Sequence, residues 1–271
     1  MERTRRHDGA SMKSNRGDVM HITRALGLCF PLLLCLPAGA DSGPRPMRLA
    51  TLEWLPYVGK IVPKDGLSTV IASAAARNAG YSLSVDYFEW TVTLAKGEKD
   101  PAFAGYFPEY YTEERAKACH LSKSIGTSML GLATMKDTPV QWNALSDLNA
   151  VKIGVVEGYS NGEAFDAMVK QGKQPVENAA SDTFNLRRLI SKKVPAIAID
   201  REVLRYLLLR SPMRNETVFS PKPLGELTLH VCFKRTPAGK EMQEAFDAGL
   251  QKIDIKKIGG DYMKQLDLSG T

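Results

Sequence analysis

Three residues stand where a small polar molecule can be gripped. They are Arg115 in Tyr111-Thr112-Glu113-Glu114-Arg115, Ser160 in Gly158-Tyr159-Ser160-Asn161-Gly162, and Asp200 at the end of the apolar run 195–199. A guanidinium presents a planar fork that matches a carboxylate with two parallel hydrogen bonds. An acid such as Asp200 can hold an ammonium group through charge-assisted hydrogen bonds worth roughly 1.5–3 kcal/mol. The turn 158–160 lies between a strand-like run and a helical pattern, and a helix N-terminus offers free N–H groups and partial positive charge to an anion. Each residue also has a plainer explanation. Ser160 and Glu163 read as an S-x-x-E capping box, Asp200 as the N-cap of a helix from Arg201, and Arg115 as a solvated helix residue. Aromatic residues gather nearby in the sequence: Trp54 and Tyr57 in Glu53-Trp54-Leu55-Pro56-Tyr57, then Tyr106, Phe107, Tyr110 and Tyr111. Such rings either wall a pocket or fill a core.

The elements that must position these residues alternate. Residues 47–51, 82–88, 102–107, 128–135, 151–156, 195–199 and 227–233 read as strands. Helical patterns cover 67–78, the stretch from the 157–161 turn to Gln171, a segment ending at 186–191, 201–209, 239–253 and a last helix near Tyr262. Strands alternating with helices at this spacing predict an α/β fold with a largely parallel sheet covered on both faces. In such sheets ligands bind beyond the carboxyl ends of strands, where Ser160 and Asp200 lie.

The first forty residues have a different character. A basic stretch with Arg3, Arg5, Arg6, Lys13, Arg16 and Arg24 precedes the apolar run 25–36 and Pro37-Ala38-Gly39-Ala40. This is the pattern of a secretory signal cleaved after Ala40, and the apolar run is too short to span a bilayer, which takes about 20 residues. Residues 1–40 carry six Lys/Arg against three Asp/Glu, half of the chain's net +6. No basic run interleaves with aromatics, so nucleic acid is not an expected partner. Beyond the signal two cysteines remain, Cys119 and Cys232; an oxidising compartment permits a disulfide between them, and two buried thiols are the alternative. No Cys/His spacing resembles a metal site, and no cofactor motif appears.

Taken in order, these features resemble the family 3 extracellular solute-binding proteins, the periplasmic receptors of polar amino acid uptake systems, from about residue 47 to 266. Trp54 in WLPY corresponds to the family's ligand-covering aromatic. Thr112–Arg115 matches its T-x-x-R element, and Gly158-Tyr159-Ser160 its G-T-T turn. Residues 194–200 match the D-A-x-x-x-D element, with Asp200 as the final acid, and the tail 233–266 matches its closing helices. The resemblance implies a two-lobed periplasmic binding protein fold of type II, each lobe a mixed sheet flanked by helices, with a two-strand hinge. Lobe one would take 41–128 and 233–271, and lobe two 129–232. It further implies that Arg115 and Ser160 grip a carboxylate, Asp200 grips an ammonium, and Trp54 and Tyr110 wall the site. The implied protein is a monomer in the periplasm that hands an amino acid-like solute to the membrane permease of an ABC transporter, or presents it to a membrane sensor. Two departures change the implied pocket. The segment before T-x-x-R reads Gly105-Tyr106-Phe107-Pro108-Glu109-Tyr110 instead of small hydroxyl residues, and Pro195 replaces the first Asp of D-A-x-x-x-D.

Two enzymatic readings compete. Gly158-Tyr159-Ser160-Asn161-Gly162 fits G-x-S-x-G, the nucleophile elbow of α/β-hydrolases, and Asp200 and His230 follow in Ser…Asp…His order. Against it, His230 lies inside the alternating run 227–233, and no HGGG-type oxyanion segment appears. The other is a lyase-type enzyme on the binding-protein fold, for which no acid–base pair stands out beyond the binding residues.

Overall fold

The computed structural model describes residues 43–269, with side chains to Leu266. The expected signal segment 1–40 lies outside the described residues. In chain order the elements are β1 (Arg45–Thr51), α1 (Leu67–Asn78), β2 (Tyr81–Tyr87), α2 (Trp90–Lys99), β3 (Gly105–Tyr110), α3 (Glu113–Ala118), β4 (His120–Leu121) and β5 (Gly126–Met135). There follow β6 (Ile153–Val156), α4 (Glu163–Lys170), β7 (Val176–Ala179), α5 (Asp182–Ile190), β8 (Ala196–Asp200), α6 (Arg201–Leu208), β9 (Thr217–Phe233), α7 (Pro237–Leu250) and α8 (Ile255–Ser269).

The strands form one sheet in the order β2-β1-β3-β9-β5-β8-β6-β7, with β4 also on β9. The pairings β1–β2, β1–β3, β6–β7 and β6–β8 are parallel. The pairings of β3, β4 and β5 with β9, and of β5 with β8, are antiparallel. The sheet is therefore mixed, where helix–strand alternation alone predicted a largely parallel one. The cause is β9. It returns through the middle of the sheet, and its first part, Thr217–Leu229, pairs with β5 while Leu229–Phe233 pairs with β3. These two long strands join the β2-β1-β3 end to the β8-β6-β7 end.

Sequence explains most elements locally. In α1 the apolar residues Ile71, Ala72, Ala75 and Ala76 recur every three or four positions and are buried, and Gly80 at φ +78 turns the chain into β2. All six residues of β3 are buried, as expected for a strand covered on both faces. Its register against β9 shifts between Tyr106 and Glu109; Pro108 lies there and has no N–H to give to the ladder. Cys119, just after α3, forms a disulfide with Cys232 in β9 (Cα–Cα 5.6 Å), which decides between the two states that the sequence left open. The main core runs from Met47 and Leu49 through Phe107 and Val231 to Ile197 and Leu204. A second cluster of Leu132, Trp142, Leu148, Ile153 and Phe165 lies beside α4. Among the described residues no helix is long and apolar enough to cross a membrane.

Candidate functional site

The site forms where the ends of β1, β3, β6 and β8 meet. Trp54 and Tyr57 come from the turn after β1, where Trp54 exchanges backbone hydrogen bonds with Val58. Their rings stack with centroids 4.5 Å apart, and Tyr110, the last residue of β3, meets Trp54 edge-on at 5.9 Å. Leu52, Trp54, Trp90, Glu109, Tyr110, Tyr159 and Ser160 enclose a cavity of about 20 Å³. That is room for about one water molecule, which occupies roughly 10–15 Å³ on this measure. Four of the five expected residues meet around this point: Trp54, Tyr110 and Ser160 line it, and Asp200 lies behind Tyr110. Arg115 borders an adjoining open cleft of about 510 Å³ with Ser160, Glu163, Asp166 and Lys170.

Asp200 does two jobs. One carboxylate oxygen, Oδ1, accepts from the backbone N–H groups of Glu202 and Val203 and caps α6, at 2.7 and 2.9 Å. The other, Oδ2, accepts from the Ser128 hydroxyl at 2.5 Å and the Tyr57 hydroxyl at 3.2 Å. Ser128 shares a 2.6 Å hydrogen bond with the Tyr110 hydroxyl. Of the two alternatives in the sequence, the cap is formed, by Oδ1, while Oδ2 is held by two hydroxyl groups behind the cavity wall. Burial raises the Asp200 pKa, and the Ser128 and backbone hydrogen bonds counter it.

Asp182, which sequence reasoning missed, completes this corner. It is the first residue of α5, capped by Ser181, and is only 7% exposed. Tyr159 donates to it at 3.4 Å, and the nearby Trp54 side chain favours its charged form. Burial, with Asp200 nearby, pushes its pKa up to about 7. It lies just past β7, a strand that the sequence reading did not predict, so the strand-end rule could not reach it.

Arg115 is held within the protein. The Thr112 hydroxyl accepts from its backbone N–H and caps α3. Its Nε lies 2.9 Å from Glu109 Oε2 and its Nη1 3.7 Å from Glu98, while Nη2 donates to the Gly158 carbonyl at 3.4 Å. Glu109 is 3% exposed and also accepts from Tyr106 and from the Tyr110 N–H. Burial pushes its pKa up to about 7 despite Arg115. Arg115, which the resemblance assigns to a ligand carboxylate, is thus paired with a carboxylate of the chain itself, Glu109.

Ser160 is no helix cap. The chain runs on to Gly162, which caps α4 at φ +92 without a side-chain bond, so the capping box is corrected. The Ser160 hydroxyl instead donates to Asp166 at 2.6 Å, and Asp166 also accepts from the Asn161 N–H. Glu163, the supposed second half of the box, accepts from the Glu113 N–H at 2.8 Å. His230 uses Nδ1 with the Ser122 carbonyl and Nε2 with the Thr228 hydroxyl, both at 2.7 Å. Ser160 and His230 therefore each have other partners, and a Ser-His relay is not assembled.

Comparison with known proteins bears on the fold. No family model matches the sequence, and a search of curated proteins finds no similar one. Solved structures do match. The arginine-bound, truncated ArgBP from T. maritima superposes with a TM-score of 0.64 at 16% identity, covering 77% of this chain and 96% of that one. AbpA, an amino acid ABC transporter substrate-binding protein from Streptococcus pneumoniae bound to L-arginine, gives 0.63 at 19% identity over 81% and 94%. The ancestral amino acid-binding protein AncCDT-1, a precursor of cyclohexadienyl dehydratase, gives 0.63 at 16% over 81% and 94%. The chain has the mixed-sheet α/β fold of these binding proteins.

Proposed function

We propose that this chain is a periplasmic solute-binding protein. It would capture a small polar solute by closing two lobes, 41–128 with 233–271 and 129–232, and offer the closed form to the membrane permease of an ABC-type uptake system or to a membrane sensor. Trp54, Tyr110, Arg115, Ser160 and Asp200 line or support the site. The observation that carries this reading is the enclosure of one cavity by polar and aromatic groups from both ends of the sheet. Tyr57 and Tyr110 reach Asp200 directly or through Ser128, and Trp90 and Arg115 reach the Gly158 carbonyl. A space of about 20 Å³ admits no solute unless these contacts open, so binding and closure are coupled. The binding-protein neighbours support the same reading. The test is a thermal-shift screen over amino acids, amines, organic acids and sugars, because a ligand that binds only the folded chain raises its melting temperature. A panel in which nothing raises the melting temperature sinks the proposal.

A lyase-type enzyme on this fold is the second reading. Glu109 and Asp182 are buried carboxyl groups with pKa values near 7, the range suited to proton transfer, and one neighbour is a dehydratase precursor. Prolonged incubation of each binding solute with the chain, followed by NMR, separates the two: new resonances mean turnover.

A further inference from the structure

The charges at this site do not balance. Asp182 and Asp200 are 7% and 2% exposed and interact with one another. Their described hydrogen-bond partners are hydroxyl and backbone N–H groups, which are all neutral. Among the described residues neither acid forms an ion pair with a cation near the cavity or its two mouths. Arg115 is taken by Glu109 and Glu98. Lys170 pairs with Glu114 at 2.7 Å, and the Lys60 ammonium lies over the Tyr87 ring. Burying two carboxylates without a countercharge is costly, and such groups concentrate where a ligand or reaction uses them. A carboxylate-bearing solute would find its expected partner, Arg115, already neutralised, and would face further acids. A positive solute would find the electron-rich faces of Trp54, Tyr110 and Tyr159, which attract cations, with the two carboxylates hydrogen-bonded behind them through Tyr159 and through Ser128 and Tyr110.

We propose that the solute is an organic cation without a carboxylate, an amine or guanidinium compound, held by Asp182 and Asp200 among Trp54, Tyr110 and Tyr159. This rests on the solute-binding reading above and names its ligand class. Arg115 is then a positioning residue: it fixes Glu109 and the Gly158 turn and does not touch the solute. The raised pKa values of Asp182 and Asp200 fit the same picture, because a bound cation would draw both back to the charged form and release protons.

Calorimetry with matched pairs tests this: agmatine against arginine, and putrescine against ornithine, each pair differing by the α-carboxylate. At pH 8 the member lacking the carboxylate is expected to bind at least about tenfold tighter, the equivalent of one charge-assisted hydrogen bond. Asp182→Asn should weaken putrescine or agmatine by a similar factor, with circular dichroism confirming the fold. Glu109→Gln should free Arg115 and shift the agmatine-to-arginine preference about tenfold towards arginine. Tighter binding of arginine and ornithine than of their amines overturns the proposal, as does binding confined to neutral or anionic solutes. Both results leave the solute-binding reading standing. A panel of amines, amino acids, organic acids and sugars in which nothing binds overturns that reading, and this one with it.

Discussion

Arg115, the guanidinium that the resemblance assigns to a guest's carboxylate, forms an ion pair of 2.9 Å with Glu109 of its own chain. The pair is lopsided: the arginine side chain is 20% exposed and the glutamate 3%. Removing the arginine therefore strands a buried charge, while removing the glutamate leaves a cation with access to water and to Glu98. Arg115→Ala should cost about 3–5 kcal/mol at pH 8, in line with broken buried pairs, and Glu109→Gln clearly less. The arginine variant's deficit should also shrink at pH 5, where Glu109 takes up a proton. Urea titrations at the two pH values check both; equal costs for the two variants would contradict the asymmetry.

Stability should depend on pH through the buried acids. Glu109 and Asp182 have folded pKa values of about 7 against ordinary values of 4.5 and 3.8, and Asp200 is shifted the same way. Between those ordinary values and pH 7 the folded chain holds more protons than the unfolded one, so stability falls as pH rises through this window. Each such group adds a slope of up to about 1.4 kcal/mol per pH unit. His120 and His230, whose pKa values burial lowers, pull the other way below about pH 6.5. Asp182→Asn should flatten the curve and stabilise the chain at pH 8 by about 1–3 kcal/mol. A melting-temperature profile from pH 4 to 9 that is unchanged in this variant is the contrary result.

Ser128 links two groups that would otherwise be poorly satisfied, the Tyr110 hydroxyl and Asp200 Oδ2. Ser128→Ala is expected to destabilise by about 1–3 kcal/mol, the cost of leaving buried polar atoms unpaired. Chemical denaturation at pH 8 measures it, and a loss below a few tenths of a kcal/mol would show that Tyr57 alone suffices.

The Cys119–Cys232 disulfide closes a loop of 113 residues. By the loop-entropy relation such a bridge stabilises by about 4–5 kcal/mol, with strain able to reduce it. Denaturation midpoints with and without dithiothreitol should differ accordingly, and Cys232→Ser should match the reduced chain.

Ser160 should not behave as a nucleophile. Its hydroxyl donates to Asp166, and burial raises that acid's pKa. A fluorophosphonate probe should leave the chain unlabelled. Labelling that vanishes in Ser160→Ala would revive the hydrolase.

Much of this fold was readable from spacing. The α1 boundaries follow from its regular apolar face and the glycine after it. Other elements hid for specific reasons. The buried face of α2 consists of Trp90, Thr93 and Gly97, a single apolar side chain among small or polar ones. Gly97 is needed because a Cβ there would come within 2.5 Å of the Tyr106 ring. The first half of β9 contains Pro221, Pro223 and Gly225 and so reads as a loop. It holds its place in the sheet because the register against β5 shifts around Pro223. At the site, the strand-end rule found Ser160 and Asp200 but passed over Asp182, because β7 before it was not read as a strand. Nor could spacing reveal that Glu109 would satisfy Arg115, because only β3 packing turns the two side chains together.

The Gly158 carbonyl accepts from Trp90 Nε1 at 3.0 Å and from Arg115 Nη2 at 3.4 Å. One oxygen thus fastens both an aromatic wall and the site's guanidinium to the opposite turn. The residue sits at φ +78, and a Cβ on it would come within 3.2 Å of the Trp90 indole. Any rotation of that peptide releases both fastenings together, so the mouth behaves as a snap rather than a zipper. Half-open forms, keeping one bond and losing the other, should be scarce, and under the proposed solute-binding role entry and escape of a solute should follow a single relaxation rate.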